Sequence, residues 1–267
     1  MTFYFHKDKK IYFNHQYLNT KKYVISFIKQ KYSVVKGTKI LEIGCGEGGV
    51  LKAFLELGCL CTGVELDENK FIIANKLFRK DIINNNLKLI RKNIYNINFK
   101  KDLGSKFDLI ILKDVIEHIE NQKRLMAILK GFLKPKGFIY VGFPPWQMPF
   151  GGHQQICTNK ILAITPYFHL LPNFLYKRIL EIFGETNENI KELLKIKKTR
   201  ISLEKFEDII KKQNYDIINR KLYLINPIYE FKFRFKPREQ SKLISKIPHL
   251  RSYLTTSGYY LIKPGRK

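Results

Sequence analysis

The sequence predicts a doubly wound α/β sheet, and three observations carry that reading. Short apolar strands alternate with amphipathic helices from about residue 39 to residue 143, the order that builds parallel sheets. The run Phe107-Asp108-Leu109-Ile110-Ile111-Leu112 is apolar enough to be a central strand buried on both faces. Glycines follow directly after the first strand, where such sheets turn toward a ligand.

The elements follow in order. Helical spacing of Tyr23, Val24, Phe27 and Ile28 predicts a helix over about 19–31, ahead of a first strand at 39–43. Val50, Leu51, Phe54 and Leu57 share one helical face that stops at Gly58. Residues 59–66 read as the second strand, and Asp67 caps the helix after it. The third strand is 87–90, reached through the Asn84-Asn85-Asn86 turn, and the fourth is 107–112. A helix over 121–132 ends before Pro135-Lys136-Gly137, and the fifth strand spans 138–143.

After Pro144 the alternation stops. Residues 145–200 carry helical signals, prolines and charge, and read as a cap inserted after the fifth strand. The order resumes with a helix at 202–213 and a strand at 215–225. The segment Tyr229-Glu230-Phe231-Lys232-Phe233-Arg234-Phe235 alternates like a strand within a second, smaller insertion at 227–254, and the chain closes with a strand over 257–262. The expected organisation is a helical cover at 1–34 and one domain over 35–267 holding both insertions.

Composition narrows the classes. In 267 residues, a hydrophobic fraction of 45% excludes wholesale disorder. Lys and Arg number 49 against 23 Asp and Glu, a net charge of +26. Such an excess suits nucleic acid, an anionic membrane surface or an acidic substrate. AT-rich codon usage, which favours Lys, Asn and Ile, is the preferred explanation of the excess. Cys45, Cys59, Cys61 and Cys157 form no CxxC pair, so no zinc site is expected; the cysteines and the absence of a signal-peptide-like start predict a reduced, cytoplasmic protein. The longest apolar run, 161–183, is broken by Pro166, His169, Pro172, Lys177, Arg178 and Glu181, so no span is expected, while peripheral membrane contact stays open.

The chemistry begins at Leu41-Glu42-Ile43-Gly44-Cys45-Gly46-Glu47-Gly48-Gly49. Glycines there let the backbone turn sharply and approach a ligand. Glu65, nineteen residues beyond Gly46, ends the second strand, as an acid does that accepts hydrogen bonds from two ribose hydroxyls. Together these predict an adenosine-containing cofactor. Gly44, Gly46 and Gly49 also satisfy GxGxxG, so NAD is one reading. Against it, Glu42 and Glu47 place carboxylates near the loop, poor company for a pyrophosphate but suited to a sulfonium and an amino group.

Residues 41–49, Gly63-Val64-Glu65-Leu66-Asp67 and 107–119 resemble the successive motifs of class I S-adenosylmethionine-dependent methyltransferases. Asp114-Val115-Ile116-Glu117-His118-Ile119 with Phe132-Leu133-Lys134-Pro135-Lys136-Gly137-Phe138 is similar to the branch holding ubiquinone-pathway and other small-molecule O-methyltransferases. The resemblance covers about residues 35–145. It implies a Rossmann-like, mostly parallel sheet of seven strands with the last antiparallel, and S-adenosylmethionine as cofactor, released as S-adenosylhomocysteine. Glu42, Gly44, Cys45 and Gly46 would line the methionine part, Glu65 the ribose, and Leu66 the adenine. Asn93 and Ile94 match the position of an acid that contacts the adenine amino group, with Asn in its place. Lys113 and Asp114 would lie on the methionine side.

For the acceptor, His153 in Gly151-Gly152-His153 is the expected base, on a loop that two glycines leave free to fold over the pocket. His118 is the rival, and His6, His15, His169 and His249 lack a flanking pattern. Phe143-Pro144-Pro145-Trp146 reads as a rigid turn launching the cap, with Trp146 as a wall of the acceptor pocket. Three functions follow: O-methylation of a small-molecule or lipid- or sugar-linked acceptor; RNA or protein methylation using the basic C-terminal third; or a non-catalytic cofactor-binding partner. No metal is expected.

Overall fold

The computed structural model describes residues 8–265; His6 and the first seven residues of the expected cover lie outside them. Among the described residues, eight strands form one mixed sheet in the order β3-β2-β1-β4-β5-β8-β6-β7. They are β1 (Lys39–Ile43), β2 (Leu60–Glu65), β3 (Leu87–Arg91), β4 (Phe107–Lys113), β5 (Leu133–Phe143), β6 (Tyr215–Ile225), β7 (Arg238–Glu239) and β8 (Ser257–Pro264). β1 to β5 pair in parallel, and β8 runs antiparallel between β5 and β6. The expected parallel sheet with a reversed last strand is what forms. The two-residue β7, paired antiparallel with β6, is an eighth strand beyond the seven expected.

Alternation along the strands divides the core between two faces. Leu41, Ile43, Ile110, Leu112, Ile139 and Val141 point one way. Ile40, Leu109, Ile111, Tyr140 and Leu261 point the other. The first face is covered by α6 (Gln122–Phe132) and α10 (Leu203–Lys212). On α10, Leu203, Phe206, Ile209 and Ile210 are buried, each stabilising by about 1.5–3 kcal/mol. The second face is covered by α1 (Lys9–Asn19), α2 (Ile25–Lys29) and α3 (Gly49–Leu55), with α4 (Glu68–Leu77) and α5 (Arg79–Ile83) leading to β3.

Three expectations change. The leading helix begins at Lys9, ten residues earlier than its apolar spacing suggested, because Asp8 caps it by accepting from the N–H groups of Lys10 and Ile11. It continues through a π-turn at Thr20–Val24, which joins it to α2. β5 starts at Leu133, because Phe107 of β4 pairs with Leu133 before the register shifts. Finally, 229–235 is no strand: Tyr229–Phe233 is a helix, α11, closed by Arg234 in the left-handed region. Aromatic residues at every second position also put Tyr229 and Phe233 four apart on one helical face, and their rings meet at 5.3 Å.

Among the described residues no strand interrupts 144–214. This stretch holds α7 (Lys160–Ile164), α8 (Asn173–Ile182) and α9 (Asn187–Thr199), with a small core of its own around Cys157, Phe168, Tyr176, Leu180 and Leu193. Lys197 locks it to the turn before it. Its ammonium donates to the carbonyls of His169 (2.5 Å) and Leu171 (2.6 Å) and lies over the rings of Trp146 and Tyr176. The last helix, α12 (Leu250–Tyr253), is tied to α10 through Arg251, which pairs with Glu204 and Glu207.

Candidate cofactor and acceptor site

The carboxyl ends of β1, β2 and β4 meet where the glycine turn begins, as the sheet's strand order requires. The N–H groups of Gly44 and Cys45 both donate to the Val64 carbonyl, at 2.8 and 3.1 Å, anchoring the turn to β2. Gly44, Gly46 and Gly48 have φ of 68°, 54° and 90°, a region that disfavours any Cβ. A Cβ on Gly44 would stand 2.6 Å from Val115, whereas nothing lies within 4 Å of one on Gly46. The turn is closed toward the protein and open at Gly46.

Glu65 binds this turn directly. Its Oε2 accepts from Gly46 N–H at 2.7 Å, and its Oε1 accepts from the N–H groups of Leu66 and Asp67, each at 2.8 Å. Oε2 keeps lone-pair capacity for a further donor, whereas Oε1 already accepts twice. Leu66 beside it is 66% exposed, a large apolar side chain standing in solvent at the edge of the turn. Glu42 is buried under the turn, and its Oε2 finds no hydrogen-bond partner among the described residues. Burial pushes its carboxyl well above the usual range, with Lys113 acting in the opposite sense. Such a group calls for a cationic or N–H partner. Cys45 is buried and packs against Gly63.

Asn93 and Ile94 sit past β3 with local work. Asn93 Oδ1 accepts from Tyr95 N–H to open a 3-10 turn, and Ile94 is part of the core. The buried Lys113 donates to Asp114 at 2.6 Å. Burial alone would raise Asp114, but Lys113 holds it below the ordinary carboxylate range. Asp114 itself has φ 56°, a strained position for a residue with a Cβ.

Two parts of the chain outside the glycine-turn motifs also reach this point. On α1, Tyr12 and Gln16 lie one turn apart; Gln16 Nε2 donates to the Tyr12 hydroxyl at 2.9 Å and reaches Asp114 Oδ2 at 3.4 Å. From α11, the half-buried Lys232 lies over the Tyr12 ring at 5.9 Å. Burial brings its pKa down to about 8, against the pull of Asp114. The basic aromatic segment thus turns one lysine inward beside Asp114. The i,i+4 spacing of Tyr12 and Gln16 was readable; the inward turn of Lys232 followed from the helix.

The two candidate imidazoles lie together. The rings of His118 and His153 meet edge to face at 4.9 Å, and Glu117 is 4.0 Å from His118. Burial lowers the His118 pKa, with Asp114 opposing it. His153 takes φ 57°. Gly151 and Gly152 do not give its loop freedom, as the sequence suggested. A Cβ on Gly151 would stand 2.2 Å from the Trp146 carbonyl oxygen, and one on Gly152 would stand 2.2 Å from His169 Cβ. These glycines hold the turn close. Trp146 packs edge-on against His169 at 4.7 Å inside the cap. A cleft of about 230 Å³ opens beside His118, lined also by Glu192, Lys195 and Ile196. A larger one, about 410 Å³, lies where β1, β2 and β3 begin, at the far edge of the sheet.

The four cysteines are free, and no helix among the described residues is long and apolar enough to cross a membrane.

Residues 41–141 match the methyltransferase domain family. The chain is 27% identical over 121 residues to the ubiquinone biosynthesis O-methyltransferase of Glaesserella parasuis, covering 44% of this chain and 50% of that one. The Pasteurella multocida enzyme of the same name is 26% identical over 125 residues, 43% of this chain and 50% of that one. The chain thus spans about half the length of the curated relatives it matches. Among solved structures, an S-adenosylmethionine-dependent methyltransferase from Clostridium acetobutylicum superposes with a TM-score of 0.57 at 13% identity, covering 94% of this chain and 92% of that one. Phosphoethanolamine N-methyltransferase 2 of Haemonchus contortus, in complex with S-adenosyl-L-methionine, superposes with a TM-score of 0.58 at 16% identity, covering 98% and 58%. Residues 41–141 therefore match a methyltransferase domain, and the chain that carries them has the fold of class I S-adenosylmethionine-dependent methyltransferases.

Proposed function

We propose that this chain is an S-adenosylmethionine-dependent methyltransferase that methylates an oxygen of a small-molecule acceptor, in a reducing, cytoplasmic setting. The observation that carries the reading is the Glu65 carboxylate bound to Gly46 N–H at 2.7 Å, which puts a sugar-binding acid against a turn that is open at Gly46. The donor set fits this cofactor better than a dinucleotide. Glu42 offers an unpartnered buried oxygen, a match for an ammonium group and a mismatch for a pyrophosphate.

In this reading Glu65 accepts from the ribose hydroxyls and Leu66 is covered by adenine. Glu42, Gly44, Cys45 and Gly46 hold the methionine portion, with Lys113 and Asp114 closing its far side. Asn93 and Ile94 shape the adenine end, where Asn93 already spends its side-chain oxygen on Tyr95. The cofactor supplies a methyl group on a charged sulfonium, so the protein's task is mainly alignment and exclusion of water. His153 stands at the acceptor side and takes the hydroxyl proton as the new O–C bond forms. Residues 145–200 form the cap on that side.

Calorimetry with S-adenosylhomocysteine and with NAD, on the full chain, tests the reading. Uptake of the first and not the second supports it. Clear uptake of NAD alone overturns it. Transfer of labelled methyl to 3,4-dihydroxybenzoate, used as a hydroxyl probe, then tests the acceptor class.

A further inference from the structure

We infer that Lys232, Tyr12 and Gln16 form the recognition end of the acceptor site, and that the acceptor carries an oxyanion, a carboxylate or a phosphate, which the Lys232 ammonium holds. The inference rests on the methyltransferase reading and deepens it, because it names the charge class of the small molecule.

The fold turns this lysine inward by fastening α11 on its other sides. Glu230 accepts from Lys22 at 2.7 Å and from the Tyr23 hydroxyl, and the Phe231 ring meets that of Tyr23 edge-on at 6.4 Å. Between these anchors and the Tyr229–Phe233 pair, Lys232 reaches α1, where its ammonium stands 5.9 Å over the Tyr12 ring. At that distance a ring face attracts a cation. Arg234 and Lys236, two and four residues on, are exposed. Of these three cations only Lys232 turns toward the site.

Asp114 is the carboxylate that acts on Lys232, but Lys113 already donates to it at 2.6 Å. Two ammonium groups therefore share one carboxylate, and an arriving oxyanion supplies a second. The buried Glu42 and Glu117 are pushed toward their neutral forms by burial and do not take that place. Asp114 also acts on His118, so the lysine and the imidazole pair flank the same carboxylate. Burial brings the Lys232 pKa down to about 8, which leaves most of it charged at neutral pH. In a place poor in water, such an ammonium holds an oxyanion more strongly than a surface lysine does.

Gln16 supplies an independent observation. Its side chain is 8% exposed, its Nε2 donates to the Tyr12 hydroxyl at 2.9 Å, and its Oε1 has no hydrogen-bond partner among the described residues. A buried amide oxygen left in this way calls for a donor, and a hydroxyl of the acceptor provides one. Lysine and glutamine together select a molecule bearing both an oxyanion and a hydroxyl, such as a hydroxy acid or the phosphate monoester of a polyol.

The test is calorimetry on the full chain loaded with S-adenosylhomocysteine. The probes are 3,4-dihydroxybenzoate, its uncharged counterpart 3,4-dihydroxybenzamide, and phenyl phosphate. At least one anion should bind about tenfold or more tightly than the amide, and the tighter anion distinguishes a carboxylate acceptor from a phosphate one. Lys232→Met should abolish the preference and leave the amide's affinity unchanged, whereas Lys232→Arg should keep it. Lys236→Met should not alter it, which separates this lysine from the general basicity of the chain. Gln16→Leu should weaken dihydroxybenzoate and the amide alike. Absence of anion binding, equal affinity for anions and amide, or a preference that survives Lys232→Met overturns the inference. So does S-adenosylhomocysteine uptake that Lys232→Met loses and Lys232→Arg keeps, which gives the lysine to the cofactor's own carboxylate. Failure of the parent chain to take up S-adenosylhomocysteine, seen before any probe is added, removes the methyltransferase reading itself and the inference with it.

Discussion

Gly46 N–H and Glu65 Oε2, nineteen residues apart in the chain, are joined at 2.7 Å. The bond ties the β1 turn to the end of β2, so the acid that is to bind a sugar is already aimed by the backbone it neighbours. Glu65→Gln keeps the volume and one acceptor but removes the charge. Charged hydrogen bonds contribute about 1.5–3 kcal/mol, so S-adenosylhomocysteine affinity should fall by roughly one to two orders of magnitude. Calorimetry reads this directly. Equal affinity in the variant dismisses the sugar-binding role.

The two glycines before His153 act through contact. Gly152→Ala would put a carbon 2.2 Å from His169 Cβ, where both sides are constrained. Overpacking of this kind costs about 1–3 kcal/mol or more. Gly104 is the control: it has φ 71° but nothing within 4 Å of a Cβ, so Gly104→Ala carries only backbone strain of about 1–2 kcal/mol. Urea unfolding should rank Gly152→Ala as the more destabilised. The same variant should lose methyl transfer, because the turn that presents His153 moves. A freely moving loop, as the sequence suggested, would instead tolerate the alanine.

What the sequence made legible was whatever repeats with a short period or stands beside a glycine. The alternation over 39–143 placed β1 to β5 because buried parallel strands leave long apolar runs such as Leu109-Ile110-Ile111-Leu112. Glu65 and the glycine turn were legible because their spacing reflects one βαβ unit. What escaped was long-range. Tyr12 and Gln16 reach Asp114 only because α1 starts at Lys9, and that start depends on a single Asp8 cap. Lys232 sits in a segment whose period-2 aromatics fit a strand as well as one helical turn. Glu117 looked like part of a motif, and only its burial revealed two unpartnered oxygens.

Arg251 fastens α12 to α10. Its guanidinium meets Glu204 at 2.8 Å and Glu207 at 2.7 Å, and it is 7% exposed. Burial would raise Glu204, but the bonds from Arg251 and Ser252 bring it down to about 2. Arg251→Met keeps most of the volume and leaves Glu204 and Glu207 without this partner. The loss should be on the order of 2–3 kcal/mol, below the roughly 3–5 kcal/mol of a fully buried pair. Chemical unfolding measures it. Because a depressed carboxylate stabilises only above its unfolded pKa, the parent chain's share of this energy should persist above about pH 4.5 and fade toward pH 2.

His169 predicts a separate loss at milder acidity. The ring is buried, bonded through Nε2 to the Trp146 carbonyl at 2.8 Å, and packed edge-on against the Trp146 indole. Burial lowers its pKa from 6.5 to about 4, only partly opposed by the Trp146 carbonyl. Between those two values the unfolded chain binds a proton that the folded chain refuses, so stability rises with pH across the window. Acidifying from pH 6.5 to pH 4 should therefore remove roughly 3 kcal/mol, with the cap the first part to loosen. His169→Gln retains a donor for the Trp146 carbonyl and has no proton to gain, so its urea midpoint should be flatter across this range. Amide exchange in 160–199 should accelerate in the parent chain near pH 4.5 and much less in the variant. Equal acid sensitivity in both proteins would show that the buried imidazole is not what couples the cap to pH.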